Sequence, residues 1–287
     1  MSDSTVLVDK KHADSHFAVG VFDSGIGGLS VLKHLREQLP HESFLYVADS
    51  AFAPYGERTV EELIARSIEI TDFLLQQSIK ALVIACNTAT AAAVKVLRQR
   101  YPDLIIIGME PGLKPAALKS LRKIVGVLAT RSTLQSEKFN LLREQLTHET
   151  QVQFIPQACV GLVDQIEKGE LESSKTMQLV RSYVAPLLAQ GADTLVLGCT
   201  HYPFVADLIK KVIQENSAEP VQLIDTGEAV ARQLKRVLEQ GQLLKVASSS
   251  DTTTIHAWTT GGASTLHHAF AHMLELPEQQ FTVNAIT

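Results

Sequence analysis

Two short stretches, ALVIACNTAT at residues 81–90 and TLVLGCTHYP at residues 194–203, are copies of one pattern. In each, an apolar run of strand character delivers a cysteine, Cys86 or Cys199, and hydroxyl or amide residues then open a helical pattern. The cysteines are too far apart in sequence to form a local metal knuckle, so any site they share has to be assembled by folding. A chain carrying this unit once in each half is expected to bring two thiols to the ends of two strands.

The rest of the chain repeats the same alternation. FAVGVF at residues 17–22 stops at DSGIGG and restarts as LSVLKHLREQL, which reads as strand, glycine turn and helix. Gly25, Gly27 and Gly28 let backbone approach a ligand where a helix N-terminus exposes its N–H groups. DSGIGG has the spacing of neither the P-loop nor the dinucleotide fingerprint, and a tight turn capped by Asp23 explains it equally well. A strand (SFLYVAD), a loop carrying Pro54, Tyr55 and Gly56, and a helix from about Thr59 to Gln77 lead to the Cys86 strand. A small-residue helix, ATAAAVKVL, and the strand LIIIGMEPG follow. IVGVLATRST at residues 124–133 then echoes VGVFDSGIGG at residues 19–28, a degenerate duplication. Beyond it lie QVQFIPQA, helices through Gly161–Gly169 and Ser173–Gln190, the Cys199 strand, VQLIDT with a helix over Ala229–Leu238, the Ser-rich link ASSSDTTT, and a last strand and helix in IHAWTTGGASTLHHAFAHML.

Strands alternating with helices indicate an α/β fold with mainly parallel sheets in two pseudo-symmetric domains. The expected domains are 17–110 plus 221–287 and 111–220, after a disordered tail at 1–16. The crossover is placed near Glu110 to Leu121 and the return near Val221.

With 287 residues and 45% hydrophobic content, the chain can bury a substantial core. A net charge of −5 without a Lys/Arg block leaves no electrostatic footprint for nucleic acid or an anionic membrane surface. Three cysteines, two of them in motifs that need free thiols, argue for a reducing cytoplasm. No apolar run reaches membrane length, and the first sixteen residues lack the apolar core of a signal peptide. The expected partners are a small-molecule substrate and, at most, a second copy of the chain as a homodimer.

A thiol at a strand's carboxyl end and a helix N-terminus is biased toward thiolate, fit for a nucleophile or a proton acceptor. His201, two residues after Cys199, can take or give that thiol's proton. Cys159, with no polar partner nearby in sequence, reads as a small hydrophobe. No second Cys/His cluster at ligand spacing supports zinc, and His267, His268 and His272 are assigned to a solvated helix face.

FDSGIGGLSVL, ADSAFAPYGE, ACNTATA, GMEPG, LATRST, LGCTHYPF and the ending W-T-T-G together resemble the glutamate racemases, cofactor-independent isomerases of the aspartate/glutamate racemase superfamily. The match runs in order from about Phe17 to Leu274. It implies two α/β domains with the active site in the cleft between them, no cofactor, and interconversion of L- and D-glutamate for bacterial peptidoglycan. By the same resemblance Cys86 and Cys199 match the two catalytic thiols, with Asp23 assisting Cys86 and His201 assisting Cys199. Glu167, in LVDQIEKG, matches an acidic residue near that histidine. The substrate-binding residues fall on Asp23, Ser24, Asp49, Pro54, Tyr55, Gly56, Asn87, Thr88, Thr130, Thr200 and His201. Ser132, Phe139 and Leu266 stand where the family usually carries Gly, Tyr and Phe, departures of packing or loop shape.

The chemistry is consistent with that assignment. Inverting a carbon that bears an ammonium and a carboxylate means removing a weakly acidic proton from one face and returning one to the other, which calls for two bases on opposite sides. No lysine motif for a pyridoxal Schiff base and no phosphate cradle is present, so hydrogen-bond donors in a water-poor site would stabilise the carbanion. Three other readings stay open on the residues alone: an aspartate racemase of the same superfamily, a Cys-His hydrolase using Cys199 and His201, and a catalytically silent two-lobed binding module.

Overall fold

The computed structural model describes residues 14–245 and 253–286, so most of the expected tail and of the Ser-rich link lies outside the described residues. In the first half, β1 (Ala18–Asp23), β2 (Phe44–Ala48), β3 (Ile79–Ile84) and β4 (Ile105–Gly108) alternate with α1 (Leu29–Gln38), α2 (Val60–Gln76) and α3 (Asn87–Arg100). After α4 (Leu113–Lys119) come β5 (Ile124–Ala129), α5 (Arg131–Gln135), α6 (Glu137–Thr150), β6 (Gln153–Ala158), α7 (Leu162–Glu167), α8 (Ser174–Ala189), β7 (Thr194–Leu197), α9 (Ala206–Asn216) and β8 (Gln222–Ile224). The chain closes with α10 (Gly227–Gln240), β9 (Ile255–Thr259), α11 (Ala263–Met273) and β10 (Phe281–Ala285).

The strands form two sheets, ordered β10-β9-β2-β1-β3-β4 and β6-β5-β7-β8, and every pairing among them is parallel. Removing β10 and β9 leaves β2-β1-β3-β4, the same order as β6-β5-β7-β8. The duplication read from VGVF and VGVL is therefore a duplication of topology. It places β3 and β7, the two strands that precede the cysteines, at equivalent positions. Parallel strands covered by helices on both faces carry continuous apolar runs, which is why IKALVI and TLVL are buried along their whole length.

Helix boundaries follow local chemistry. Thr59 and Glu62 close a capping box at the start of α2, and Ser136 and Ser173 cap α6 and α8 by accepting from the third backbone N–H. The helix α10 lies on α1, where His34 Nε2 meets Asp225 Oδ2 at 3.1 Å.

Three expectations are corrected. VQLI was placed in the first domain, but β8 pairs with β7, so the chain leaves the second sheet only after Ile224. IHAWT is not the last strand as expected: FTVNA forms β10, which extends the first sheet beside β9, with Phe281 packed against Phe270. Residues 14–16 are not frayed, since Phe17 N–H donates to the Asp14 carbonyl and the Ser15 carbonyl accepts from Lys80.

Lys80 is a buried cation inside the first domain. Its ammonium lies 2.7 Å from Glu42 Oε2 and donates to the carbonyls of Ser15 and Leu243 at 2.8 Å each. Burial lowers its pKa, and the Glu42 bond opposes that shift. Removing one partner of such a pair leaves an uncompensated buried charge. Lys80→Met is expected to cost about 3–5 kcal/mol in urea unfolding. The double variant Lys80→Met/Glu42→Gln should recover part of that loss, and a single variant as stable as the parent would show that Glu42 is readily rehydrated.

Candidate active site

In an open parallel sheet, sites form beyond the carboxyl ends of the strands, where the strand order reverses. In both sheets that place is the junction of the first and third strands, β1/β3 and β5/β7, and the two junctions face one cavity. Ser24, Cys86, Asn87 and Thr88 line it from the first domain, and Thr130, Cys199, Thr200 and His201 from the second. Pro54, Tyr55 and Gly56 close its edge, with Gly56 opposite Thr130 across the cleft.

Cys86 is the N-cap of α3, and its sulfur accepts from Ala89 N–H at 3.5 Å while the thiol points at Ser24 Oγ, 3.9 Å away. Burial nevertheless pushes its pKa well above the ordinary thiol value, and the Asp23 carboxylate adds to the shift, outweighing the Ala89 bond. The helix terminus alone therefore does not make Cys86 a thiolate; a positive group from a ligand would work in that direction. Asp23 stands behind Cys86, outside the cavity lining. Its Oδ2 accepts from Gly28 N–H at 2.6 Å and from Thr200 Oγ1 at 3.5 Å, and its Oδ1 accepts from Ser24 Oγ at 3.5 Å. Burial lifts this carboxyl from 3.8 to about 6, against the opposing pull of His201.

The second thiol is served differently. A 3-10 turn, Tyr202–Val205, separates Cys199 from α9, so no α-helix starts directly at this cysteine as one does at Cys86. Cys199 Sγ is instead 3.6 Å from His201 Nδ1, and His201 Nε2 is 2.6 Å from Glu167 Oε1. Burial disfavours a charged ring, yet the bonds to Cys199 and Glu167 outweigh it and hold the His201 pKa well above its usual value. Glu167 Oε1 also accepts from Ile26 N–H at 2.9 Å, which binds the pair to the first domain.

That contact explains DSGIGG. A Cβ on Gly25 would lie 2.0 Å from Glu167 Oε1, and one on Gly27 would lie 2.3 Å from His201 Nδ1. The glycines make room for the second domain's histidine and glutamate rather than for a phosphate.

Asn87 is buried in the lining, and among the described residues neither its amide oxygen nor its amide nitrogen has a partner. A buried donor and acceptor on one side chain need a partner, from water or from a ligand in the cavity. Beside it, Thr88 Oγ1 lies 3.2 Å from Thr130 Oγ1 and 3.4 Å from Thr133 Oγ1, a hydroxyl cluster spanning the domains.

Two expected roles change. The Tyr55 hydroxyl is not free for a substrate carboxylate, because it donates to Asp49 Oδ2 at 2.7 Å. Tyr55 and Gly56 instead offer backbone N–H groups at the start of a 3-10 turn, which has no internal partners for them. Asp49 is fully buried outside the lining, its carboxylate held by Tyr55, Arg66 and Thr260, so direct substrate contact is replaced by support of Tyr55. Arg131, Thr133 and Cys159 line the cavity without having been singled out for it. Thr133 lay within the quoted LATRST, whereas Cys159 gave no signal beyond its residue type.

A model of the family described as Asp/Glu/Hydantoin racemase matches residues 19–234 of the chain. The glutamate racemase of Ectopseudomonas mendocina (strain ymp) is 52% identical over 247 residues, 86% of this chain and 90% of that protein. Among solved structures, a glutamate racemase isoform from Bacillus anthracis is similar with a TM-score of 0.81 at 34% identity, covering 95% of this chain and 98% of its own. A glutamate racemase from Francisella tularensis, solved in complex with D-glutamate, gives a TM-score of 0.79 at 26% identity over 94% of this chain and 98% of its own.

The elevated Asp23 carboxyl has a consequence for stability. A folded-state pKa of about 6 against 3.8 means that the fold favours the neutral acid, a contribution complete below pH 3.8 and lost as pH rises through 6. The gap corresponds to roughly 3 kcal/mol. Asp23→Asn should therefore gain stability relative to the parent between about pH 4 and pH 7.5, measured by urea unfolding across that range. Parallel pH profiles for the two proteins would contradict the assignment.

Proposed function

This chain belongs to the Asp/Glu/hydantoin racemase family and is an isomerase, and we propose that it interconverts L- and D-glutamate by passing protons between the substrate α-carbon and two cysteines. The observation that carries this reading is the presence of one thiol at each of two topologically equivalent strand ends, both lining one cavity. In each direction one sulfur begins as thiolate and removes the α-proton, while the other begins as thiol and supplies a proton to the opposite face. Direction exchanges their roles.

His201, oriented by Glu167, takes up or returns the Cys199 proton, and Asp23, reaching Cys86 through Ser24, biases the first thiol. Hydrogen-bond donors carry the charge that develops on the substrate carboxylate: the Asn87 amide, the Thr88 hydroxyl, and the N–H groups of Tyr55 and Gly56, while the Thr200 hydroxyl donates to Asp23 and that of Thr130 to Thr133. The substrate ammonium, placed near Cys86, favours the thiolate form that burial disfavours. In this reading the enzyme works in the cytoplasm, and the D-glutamate formed supplies bacterial peptidoglycan.

Circular dichroism of L-glutamate and L-aspartate solutions, each incubated with the protein and no added cofactor, tests the proposal. Decay of the glutamate signal alone is the expected result, and decay of aspartate alone would move the protein to the other specificity. Cys86→Ala and Cys199→Ala should each lower racemisation by about 10²–10⁴-fold, the size of one general acid–base contribution, while the folded far-UV spectrum is kept. Either variant racemising at a substantial fraction of the parent rate would remove the two-base scheme.

A further inference from the structure

Arg66, on α2 and outside the cavity lining, holds a carboxylate that lies directly behind the substrate-binding edge. Its Nε donates to Asp49 Oδ2 at 2.8 Å and its Nη2 to Asp49 Oδ1 at 2.7 Å, a two-point fork. Thr260 Oγ1 donates to Asp49 Oδ1 at 2.9 Å, and the Tyr55 hydroxyl donates to Asp49 Oδ2 at 2.7 Å. Asp49 is fully buried, whereas the Arg66 side chain keeps 26% exposure and also meets Glu69 at 2.7 Å. Tyr55 is thus tied at its far end to a buried anion while its backbone forms the edge of the pocket. Without a cation, that anion would face an anionic ligand across a single side chain in a medium of low dielectric.

We propose that Arg66 is a positioning residue for an anionic substrate: by neutralising Asp49 and fixing it as the anchor of Tyr55, it presents the Tyr55–Gly56 turn to a carboxylate without a bare negative charge behind it. Asp49 and Thr260 complete the anchor. The arrangement separates two jobs. Asp49 supplies the acceptor that orients the Tyr55 ring, and Arg66 cancels the charge this acceptor brings. Arg58, whose Nε donates to the Phe52 carbonyl at 3.1 Å and whose guanidinium lies 4.4 Å above the Phe52 ring, braces the same loop but does not touch Asp49.

The inference rests on the glutamate reading above, and steady-state kinetics on full-length protein with each glutamate enantiomer separate the two. Arg66→Met is expected to raise KM by about tenfold or more through the unscreened charge, with kcat within about threefold of the parent. Arg66→Lys, which keeps the charge, should stay within about threefold of the parent KM. The decisive variant is Arg66→Met/Asp49→Asn, which removes both charges but keeps an acceptor for Tyr55, and should return KM to within about threefold of the parent. A double variant as weak as Arg66→Met, a tenfold rise in KM for Arg66→Lys, or a fall in kcat at constant KM would overturn the role of Arg66. If the parent protein turns over neither glutamate enantiomer, the glutamate reading and this inference fall together; normal parent turnover with any of the three contrary results removes the inference alone.

Discussion

The bond between Glu167 and the backbone of the glycine turn is the contact on which the site depends. Glu167 belongs to the second domain, yet its Oε1 accepts from Ile26 N–H in the first while receiving His201 Nε2. Close approach is possible because residues 25 and 27 have no side chains, and Ser30 adds a bond from its hydroxyl to the Thr200 carbonyl at 2.7 Å. Cys199 therefore obtains its oriented histidine only when the two domains meet in this register. Asp23 reports the same dependence from the other side, accepting from Thr200 while it supports the Cys86 half.

Equivalent topology does not give equivalent chemistry. Cys86 caps a helix and is backed by a buried carboxyl, whereas Cys199 precedes a 3-10 turn and is backed by a histidine–glutamate pair. Duplication accounts for where the sulfurs stand, since β3 and β7 occupy the same place in matching sheets. What stands behind each sulfur comes from residues the duplication does not repeat: Glu167 on α7, and Asp23 at the end of β1, where β5 carries Ala129. A reaction that removes a proton at one face and restores one at the other needs two carriers, but it does not require them to be tuned by the same neighbours.

The sequence was legible where local pattern and tertiary role coincide. Apolar runs ending in Cys86 and Cys199 are strands because parallel sheets bury both faces, and that pattern survives without any knowledge of the fold. Other features were hidden because three-dimensional neighbours decide them. FTVNA is short and half polar, and it becomes a strand only because β9 offers an open edge. VQLI carries no mark of which sheet it joins. Asp49 and Tyr55 look like ligand contacts in sequence, and only the positions of Arg66 and Thr260 show that their side chains satisfy each other. Glu167 sits in a segment with little pattern of its own and is legible only through the family resemblance, because the glycine turn that receives it reads in sequence as a ligand approach or a tight turn.

The pocket is built from groups that the fold alone leaves unfavourable. Asp23 is a carboxyl held in a site that resists its charge, Cys86 is a thiol that burial keeps protonated, and Asn87 has a buried donor and a buried acceptor without partners among the described residues. Without a water or a ligand, each such amide atom would cost on the order of 1–3 kcal/mol, the penalty of taking a polar group from water without replacing its bond. In the proposed reaction, a ligand carrying both an ammonium and a carboxylate would bring a cation beside the Cys86 thiol and partners for the Asn87 amide, while Asp23, behind the lining, meets the site through Ser24. A neutral or purely anionic ligand meets only part of that demand. In the proposed reaction, such a cation would shift Cys86 toward the thiolate that burial disfavours, so the ligand itself would complete the base.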